Sequence, residues 1–329
     1  MMLRTMPQRL RLLYILLAGV TLLLGLTGAL LKAGALLEGG RVGGWLALRH
    51  PHLMLLGFLG MLIGLERAVA LPSRVVYAVP LLLWAGMWWP PAGGVGALLY
   101  AGAMTYYGRR LTPGPHLWAM VAGGLFLGWA YVADTISPGI RWVIPAKLFL
   151  LLTIFGERLE LGRITMRRHW EPRLAMVLLF GLLLMPFAGN AYTQVMTALA
   201  ALWLGVFDTA RRIVRRPGLP RFIGITLLIG YAWLGLHALA PFIRMPHDMA
   251  LHSFFLGFVF MMIYAHAPLI FPTIVGFRLR FGNGFYLPVA LMNLSLLLRW
   301  GGLLREGALL SVAAVLLLPI IMFFYAKRP

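Results

Sequence analysis

The chain has 329 residues, of which 61% are hydrophobic and 12% are charged, and its formal net charge is +20. Soluble domains are about 45–50% apolar and about 25% charged, so this composition excludes an ordinary water-soluble fold and indicates an integral membrane protein. The absence of cysteine excludes disulfides, thiolate metal sites and iron–sulfur clusters, which leaves histidine, carboxylate and methionine as ligands for a transition metal.

Apolar runs separated by charged residues, Pro and Gly predict the membrane helices, because a spanning helix needs about 20 mostly apolar residues. Twelve segments follow one another along the chain: 12–36, 51–70, 74–89, 93–108, 115–133, 141–157, 173–188, 190–210, 220–240, 249–267, 283–299 and 306–325. Pro268 and Pro272 are expected to break or kink the chain just after the tenth segment. We predict an all-α polytopic membrane helix bundle of about twelve transmembrane helices, with residues 1–329 forming a single transmembrane domain.

The distribution of Lys and Arg predicts the orientation, since basic residues are enriched in cytoplasmic loops. With the N-terminus inside, twelve helices place 21 of the 29 basic residues on the cytoplasmic side and 8 on the other. The basic residues form short clusters between apolar runs, which is typical of contact with lipid headgroups and not with nucleic acid. We expect a protein of a bacterial-type inner (cytoplasmic) membrane, with both termini in the cytoplasm and membrane lipids as partners.

A sequence repeat links an early and a late helix. The segment from His52 to Ile63 recurs between His252 and Ile263, with an offset of 200 throughout. The shared residues are the histidine, a Leu-Gly-Phe triplet, a methionine and the isoleucine. Either the chain has two related halves, at about 1–190 and 191–329, or the triplet recurs by chance in a chain rich in Leu, Gly and Phe.

Five of the eight histidines fall at or near the predicted outer ends of helices: His50, His52, His237, His247 and His252. If the repeat is real, His52 and His252 lie at matching depths in the two halves. An imidazole pair on facing helices is one way in which a bundle holds a haem iron or a copper ion. The alternative is that these are interfacial histidines that bind water or headgroups.

The segment Met245-Pro246-His247-Asp248-Met249 places two thioethers and an imidazole within five residues. Thioether and imidazole together suit Cu(I), so His247 and Met249 are candidate metal ligands beside His52 and His252. Methionine is also a common filler of membrane helices, which is the alternative interpretation.

A second polar group is predicted near the cytoplasmic face: Glu66, Glu157, His116 and His266. Glu66 and His266 each follow the histidine of their repeat by 14 residues, which is about 21 Å along an α-helix and nearly in register around it. Ionisable side chains inside a membrane often form proton relays, so these four residues are candidates for one. Each Glu precedes an arginine, and a plain interfacial ion pair is the alternative.

The segment His50-Pro51-His52-Leu53-Met54-Leu55-Leu56-Gly57-Phe58 is similar to the signature of the NnrS family, in which His-x-His precedes Met-Leu and Gly-Phe on an early membrane helix. The segment from Ala250 to Gly257 resembles the second conserved block of that family, which has an Ala-Leu-His lead. Family members are polytopic haem and copper proteins linked to bacterial nitric oxide and nitrosative-stress responses. The resemblance implies metal binding by His50, His52 and His252, and, by neighbourhood, by His237 and His247.

These observations predict a protein that binds haem b, copper or both through its outer histidines, with nitric oxide as the small ligand that the resemblance implies. The first alternative is a secondary transporter with a polar midmembrane pathway and no metal, since repeats and buried ionisable residues are expected there as well. The second is a lipid-associated or complex-associated subunit with no site of its own. No phosphate loop, dinucleotide fingerprint or zinc-protease motif occurs, so the sequence assigns no enzyme class.

Overall fold

The computed structural model of the chain describes residues 6–36, 40–111, 114–136, 139, 141–162 and 170–327. Each of the twelve predicted segments coincides with a helical stretch, and two two-residue strands, β1 (Arg278–Leu279) and β2 (Ala326–Lys327), pair antiparallel. The all-α prediction is therefore confirmed. Seven helices in the described part of the chain are long and apolar enough to cross a membrane, which fits a membrane protein.

The helices are, in chain order, α1 Gln8–Lys32, α2 Gly40–Ala70, α3 Val75–Gly86, α4 Pro90–Leu111, α5 Pro115–Ile136, α6 Val143–Gly162, α7 Trp170–Phe187, α8 Asn190–Phe207, α9 Ala210–Ile213, α10 Leu219–Leu239, α11 His247–Val275, α12 Tyr286–Trp300 and α13 Leu304–Tyr325. The seven long apolar helices are α1, α2, α5, α7, α10, α11 and α13. Helix α3 opens with a 3-10 turn, Val75–Ala78, and another 3-10 turn, Asn283–Phe285, leads into α12.

The chain divides into two compact units, which are described separately. The first unit contains Met1–Lys32 and Leu37–Glu160, and so holds helices α1 to α5 and nearly all of α6. The second contains Ala33–Leu36 and Leu161–Pro329, and so holds helices α7 to α13. The division lies near residue 160, whereas the sequence placed the boundary of two repeat halves near residue 190.

Helix α2 begins at Gly40, eleven residues before the predicted start at 51, and Pro51 lies inside it. The sequence analysis placed a helix boundary at these glycines and Pro51, because Gly and Pro were taken to separate helices. Glycines serve a different purpose here, because small residues let membrane helices approach closely. Gly28 of α1 packs directly against the backbone carbonyl of Leu46 in α2.

Helix α11 continues to Val275 through Pro268 and Pro272, so the predicted end at 267 was wrong. It ends at Gly276, whose φ of 88° is left-handed and is the usual conformation of a glycine that terminates a helix. Prolines are tolerated within membrane helices where neighbouring groups satisfy the freed carbonyls. The prolines therefore do not end this helix.

Two π-helical segments interrupt α2 and α11, and they occupy corresponding positions of the sequence repeat. The first is Leu53–Leu59 and the second is Ser253–Val259, again with an offset of 200. Each begins directly after the histidine of its repeat, at His52 or His252. Short π segments are rare and are frequent at functional sites, so they direct attention to these two histidines.

The central glycine of the first π segment lies against a hydrogen-bonded side-chain pair. A Cβ on Gly57 would come within 2.5 Å of Thr21 Cγ2 in α1. The Thr21 hydroxyl accepts a hydrogen bond of 2.8 Å from the indole N–H of Trp84 in α3. Thr21 and Trp84 thus connect α1 with α3 beside the π segment of α2.

The second π segment has similar surroundings within its own unit. A Cβ on Gly257 would come within 2.6 Å of Trp233 Cβ in α10. The indole N–H of Trp233 donates a hydrogen bond of 2.7 Å to Asn293 Oδ1 in α12. In each unit, a tryptophan indole therefore bonds a polar side chain across the helices that flank the π segment.

Candidate functional site

His52 is held just before the first π segment by residues from two other helices. Its Nε2–H donates a hydrogen bond to Asp134 Oδ1, with an N···O distance of 2.9 Å. Its ring centroid lies 4.4 Å from the ring of Trp142, which directly precedes α6. The side chains of His52 and Asp134 are 15% and 13% exposed, so the pair is largely shielded from its surroundings.

The second ring nitrogen of His52 has an unusual environment. Nδ1 is buried and has no hydrogen-bond partner among the described residues. Because Nε2 carries the proton donated to Asp134, Nδ1 holds a lone pair in this arrangement.

A cavity of about 500 Å³ opens beside His52 and Asp134. Lys32, at the end of α1, and Arg49, in α2, supply two cations to its lining. The rest of the lining is mostly apolar and includes the indoles of Trp88 and Trp142. The volume is in the range of small-molecule pockets, about 300–1,000 Å³.

His252, in the second unit, also lies beside an aspartate. Its Nδ1–H donates to the backbone carbonyl oxygen of Asp248 at 2.8 Å, and Nδ1 lies 3.1 Å from Asp248 Oδ1. The other carboxylate oxygen of Asp248 accepts a hydrogen bond of 2.7 Å from Arg299 Nη1 in α12. Because Arg299 is buried, this chain of contacts fixes the beginning of α11 against α12.

Of the other predicted outer residues, two histidines form hydrogen bonds with backbone groups, and the remaining two residues differ in burial. The Nδ1–H of His50 donates to the carbonyl oxygen of Gly25 at 2.8 Å, and that of His237 donates to the carbonyl oxygen of Ala250 at 2.7 Å. His247 is exposed, whereas Met249 is fully buried in the same helix. Histidines 50 and 237 therefore tie neighbouring helices together, whereas the imidazole of His247 and the thioether of Met249 lie in different environments.

The predicted relay residues of the first unit lie in a cluster of charged side chains at the other end of α2. Arg67 Nη2 donates to Glu157 Oε1 in α6, and Arg67 Nη2 also lies 3.9 Å from Glu66 Oε1. His116 is buried in α5, with Nε2 4.0 Å from Glu160 Oε1. Glu66 and Glu157 thus share one guanidinium, as an ion-pair network requires.

His266, the fourth relay candidate, belongs to the second unit. Its Nδ1–H donates to the carbonyl oxygen of Met262, one turn earlier in α11, at 2.6 Å. In the part of the chain that the structure describes, no group of three or more His, Asp or Glu side chains is placed to hold a metal ion.

Sequence reasoning did not single out Asp134, Trp142 or Arg299. The chain has nine acidic residues, so an aspartate that follows the apolar run of α5 is a detectable signal. Asp134 escaped notice because the predicted helix ended at 133. Arg299 was counted only for the orientation, and nothing in its local sequence indicates its bond to Asp248.

A model of one protein family, described as Domain of unknown function (DUF8744), matches residues 11–327. The chain belongs to this family. The matched part of this chain contains both histidine–aspartate pairs, both π segments and the cavity beside His52. No curated protein and no solved structure matches the chain.

Proposed function

We propose that the chain is a proton-coupled secondary transporter without a metal cofactor. One observation carries this proposal: in each unit, a histidine paired with an aspartate directly precedes a buried π-helical segment. The pairs are His52 with Asp134 and His252 with Asp248, and the histidines are 200 residues apart, as the π segments are. Paired ionisable residues at broken or irregular membrane helices are characteristic of proton and substrate pathways.

The order of helices supports a structural repeat, which is common among transporters. Helices α1 to α4 comprise a straight helix, a long helix with a π segment, a shorter helix entered through a 3-10 turn, and a helix of 22 residues. Helices α10 to α13 have the same order, again ending in a helix of 22 residues. In this proposal the two halves are related through these sets of four helices.

The two halves of α2 differ in a way that suits alternating access. A cavity opens beside the first half, at Leu48 to His52, whereas ion pairs with α6 close the last turns, at Glu66 and Arg67. A cavity at one end and a closed polar cluster at the other are expected of a transporter that is open to one side only. All twelve helical segments would then cross a bacterial inner membrane, with both termini in the cytoplasm and the His52 end outside.

His52 and Asp134 are the proton-exchanging pair of this proposal, because both side chains are largely buried and both line the cavity. A ligand or proton that prefers one of two states shifts the balance between them.

Transport by proteoliposomes under an imposed pH gradient tests this proposal. The probes are radiolabelled p-aminohippurate (an organic anion), tetraethylammonium (an organic cation) and glucose (a neutral solute). We expect one of them to accumulate against its gradient. In Asp134→Asn, proton-driven accumulation should fall about tenfold, within the usual range of coupling energies, while exchange of the same probe without a gradient is retained.

His247→Ala is the matched control, since His247 is an exposed histidine outside the cavity, and it should transport like the unmodified protein. The proposal fails if no probe accumulates, or if Asp134→Asn accumulates its probe as well as the control does.

Binding of haem or copper is the second candidate, and the geometry of His252 favours it. Histidines that ligate a metal usually donate their other ring N–H to a carbonyl or carboxylate, as Nδ1 of His252 does to Asp248, which leaves Nε2 as the coordinating atom. His52 fits less well, because its Nε2 is bonded to Asp134 and its Nδ1 is buried. The predicted thioether–imidazole site for Cu(I) would need Met249 and His247 to converge, and the buried Met249 and exposed His247 do not.

An absorption spectrum of the purified protein tests this second candidate. Bound haem b gives a Soret band, which His252→Ala should abolish and His247→Ala should preserve, and addition of nitric oxide should shift the band if the iron has an open position. A preparation without a Soret band after expression with added haem precursor contradicts it.

A further inference from the structure

We infer that the cavity beside His52 binds an organic anion, with its anionic group next to Lys32 and Arg49 and its apolar part against Trp88 and Trp142. This inference rests on the proposed transport function and deepens it by naming the class of substrate.

The charged side chains of the cavity lining indicate the sign of the ligand. Lys32 and Arg49 give the lining two cations, and Asp134, which accepts a hydrogen bond from His52, gives it one carboxylate. Lys32 and Arg49 form no ion pair with the described residues, so the lining carries an excess of positive charge. A cavity lined by an excess of charge of one sign attracts ligands of the opposite sign.

Helix ends of both polarities lie at the cavity. Pro90 is the first residue of α4 and Trp142 directly precedes α6, whereas Lys32 ends α1, Met87 directly follows α3 and Asp134 lies in the last turn of α5. N-terminal ends carry a partial positive charge and C-terminal ends a partial negative charge, so the lining side chains and not the helix dipoles decide the sign of the ligand.

The aromatic walls determine what accompanies the anionic group. The Trp142 ring is buried and packs on His52, and the Trp88 ring stacks on Trp45 with centroids 5.6 Å apart and planes within 6°. Both indoles are thus held in place before a ligand arrives. Fixed aromatic surfaces bind flat or apolar groups without a large ordering cost.

Equilibrium dialysis measures this binding directly, without transport. The protein is placed in nanodiscs of zwitterionic phosphatidylcholine, and the probes are again p-aminohippurate and tetraethylammonium. We expect saturable binding of p-aminohippurate alone. Lys32→Gln/Arg49→Gln should weaken it at least about tenfold, because the variant removes both cations of the lining.

Arg41→Gln is the matched control, since it removes one charge from an exposed position of α2 outside the cavity, and it should bind like the unmodified protein. Equal weakening in the control and the double variant would overturn the inference, since the effect would then be that of net charge alone. Binding of tetraethylammonium in place of p-aminohippurate would overturn it as well.

A second arm distinguishes a free anion from a lipid headgroup, which presents the same chemistry. In nanodiscs that contain phosphatidylglycerol, native mass spectrometry counts the retained anionic lipids. Binding of p-aminohippurate in zwitterionic discs assigns the cavity to a free anion. Phosphatidylglycerol retained by the unmodified protein and lost from the double variant, without p-aminohippurate binding, assigns it to an anionic lipid. The absence of both overturns the inference.

The two proposals fail separately. Accumulation of tetraethylammonium or glucose by proteoliposomes would support transport and contradict an organic anion as the substrate. Specific p-aminohippurate binding without accumulation of any probe would support the anion site and contradict transport.

Discussion

Replacement of Arg67 by methionine is expected to lower the free energy of unfolding by about 3–5 kcal/mol, the cost of removing one partner from a buried ion pair. The Arg67 side chain is 12% exposed and donates to Glu157, and Glu66 lies 3.9 Å from the same guanidinium. The variant leaves two carboxylates close together without their shared cation. Chemical denaturation of the purified protein in detergent, followed by circular dichroism, measures the change.

Two further variants make this prediction specific. Arg67→Met/Glu157→Met should recover part of the lost stability, because it removes one of the two carboxylates together with their shared cation. Arg74→Met removes the same charge from an exposed position of the same unit and should change stability by no more than about 0.5 kcal/mol. Stability of Arg67→Met equal to that of Arg74→Met would mean that the cluster is not a closed ion-pair network.

Replacement of Gly28 by alanine should lower the free energy of unfolding by about 1–3 kcal/mol, the usual cost of overpacking. The added methyl group would overlap the carbonyl oxygen of Leu46, which is backbone and cannot rotate away. Helices α1 and α2 must then separate, and the bond from His50 to Gly25 lies at the same contact. The same denaturation experiment in detergent measures this loss.

Gly19→Ala provides the control on the same helix, since nothing lies within 4 Å of a Cβ at Gly19. That variant should be stabilised by about 0.5–1 kcal/mol, because alanine loses less conformational freedom in a helix than glycine does. If both variants gain stability alike, α1 and α2 are not in close backbone contact at Gly28.

Hydropathy predicted the helical segments well because it depends on local composition. The two ends that moved most involve Gly and Pro: α2 begins before Pro51, and α11 passes Pro268 and Pro272. In water these residues end helices because water competes for the freed carbonyls. Within a membrane the backbone has no such alternative, so the helix persists past them.

The side-chain pairs of the candidate site could not be predicted from the sequence. Asp134 is 82 residues from His52, and Arg299 is 51 residues from Asp248. Such contacts depend on how helices pack, which no local pattern encodes. Glu66 and Glu157 were named individually, yet their sharing of Arg67 required the positions of α2 and α6 in the structure.

The π segments also change the expectation that His52 and Glu66 lie in register on one face of a helix. That expectation assumed a regular α-helix between them. Bonds from i to i+5 widen the turn, so each residue of Leu53–Leu59 advances less around the axis. The polar group at one end of α2 is therefore rotated away from the direction that a regular helix would give it.

This rotation has a consequence for apolar residues that touch neither polar site. A wide turn is an uncommon backbone state, and the close fit of its buried side chains, such as Leu56 and Phe58, to their neighbours is what favours it over a regular turn. If that fit is loosened, the π segment in the middle of α2 can change to a regular α-helical turn. The part of α2 after the segment then rotates about the helix axis relative to the part before it. The packing of apolar side chains in the π segment thus determines the angle about the α2 axis between the cavity and the ion-pair cluster.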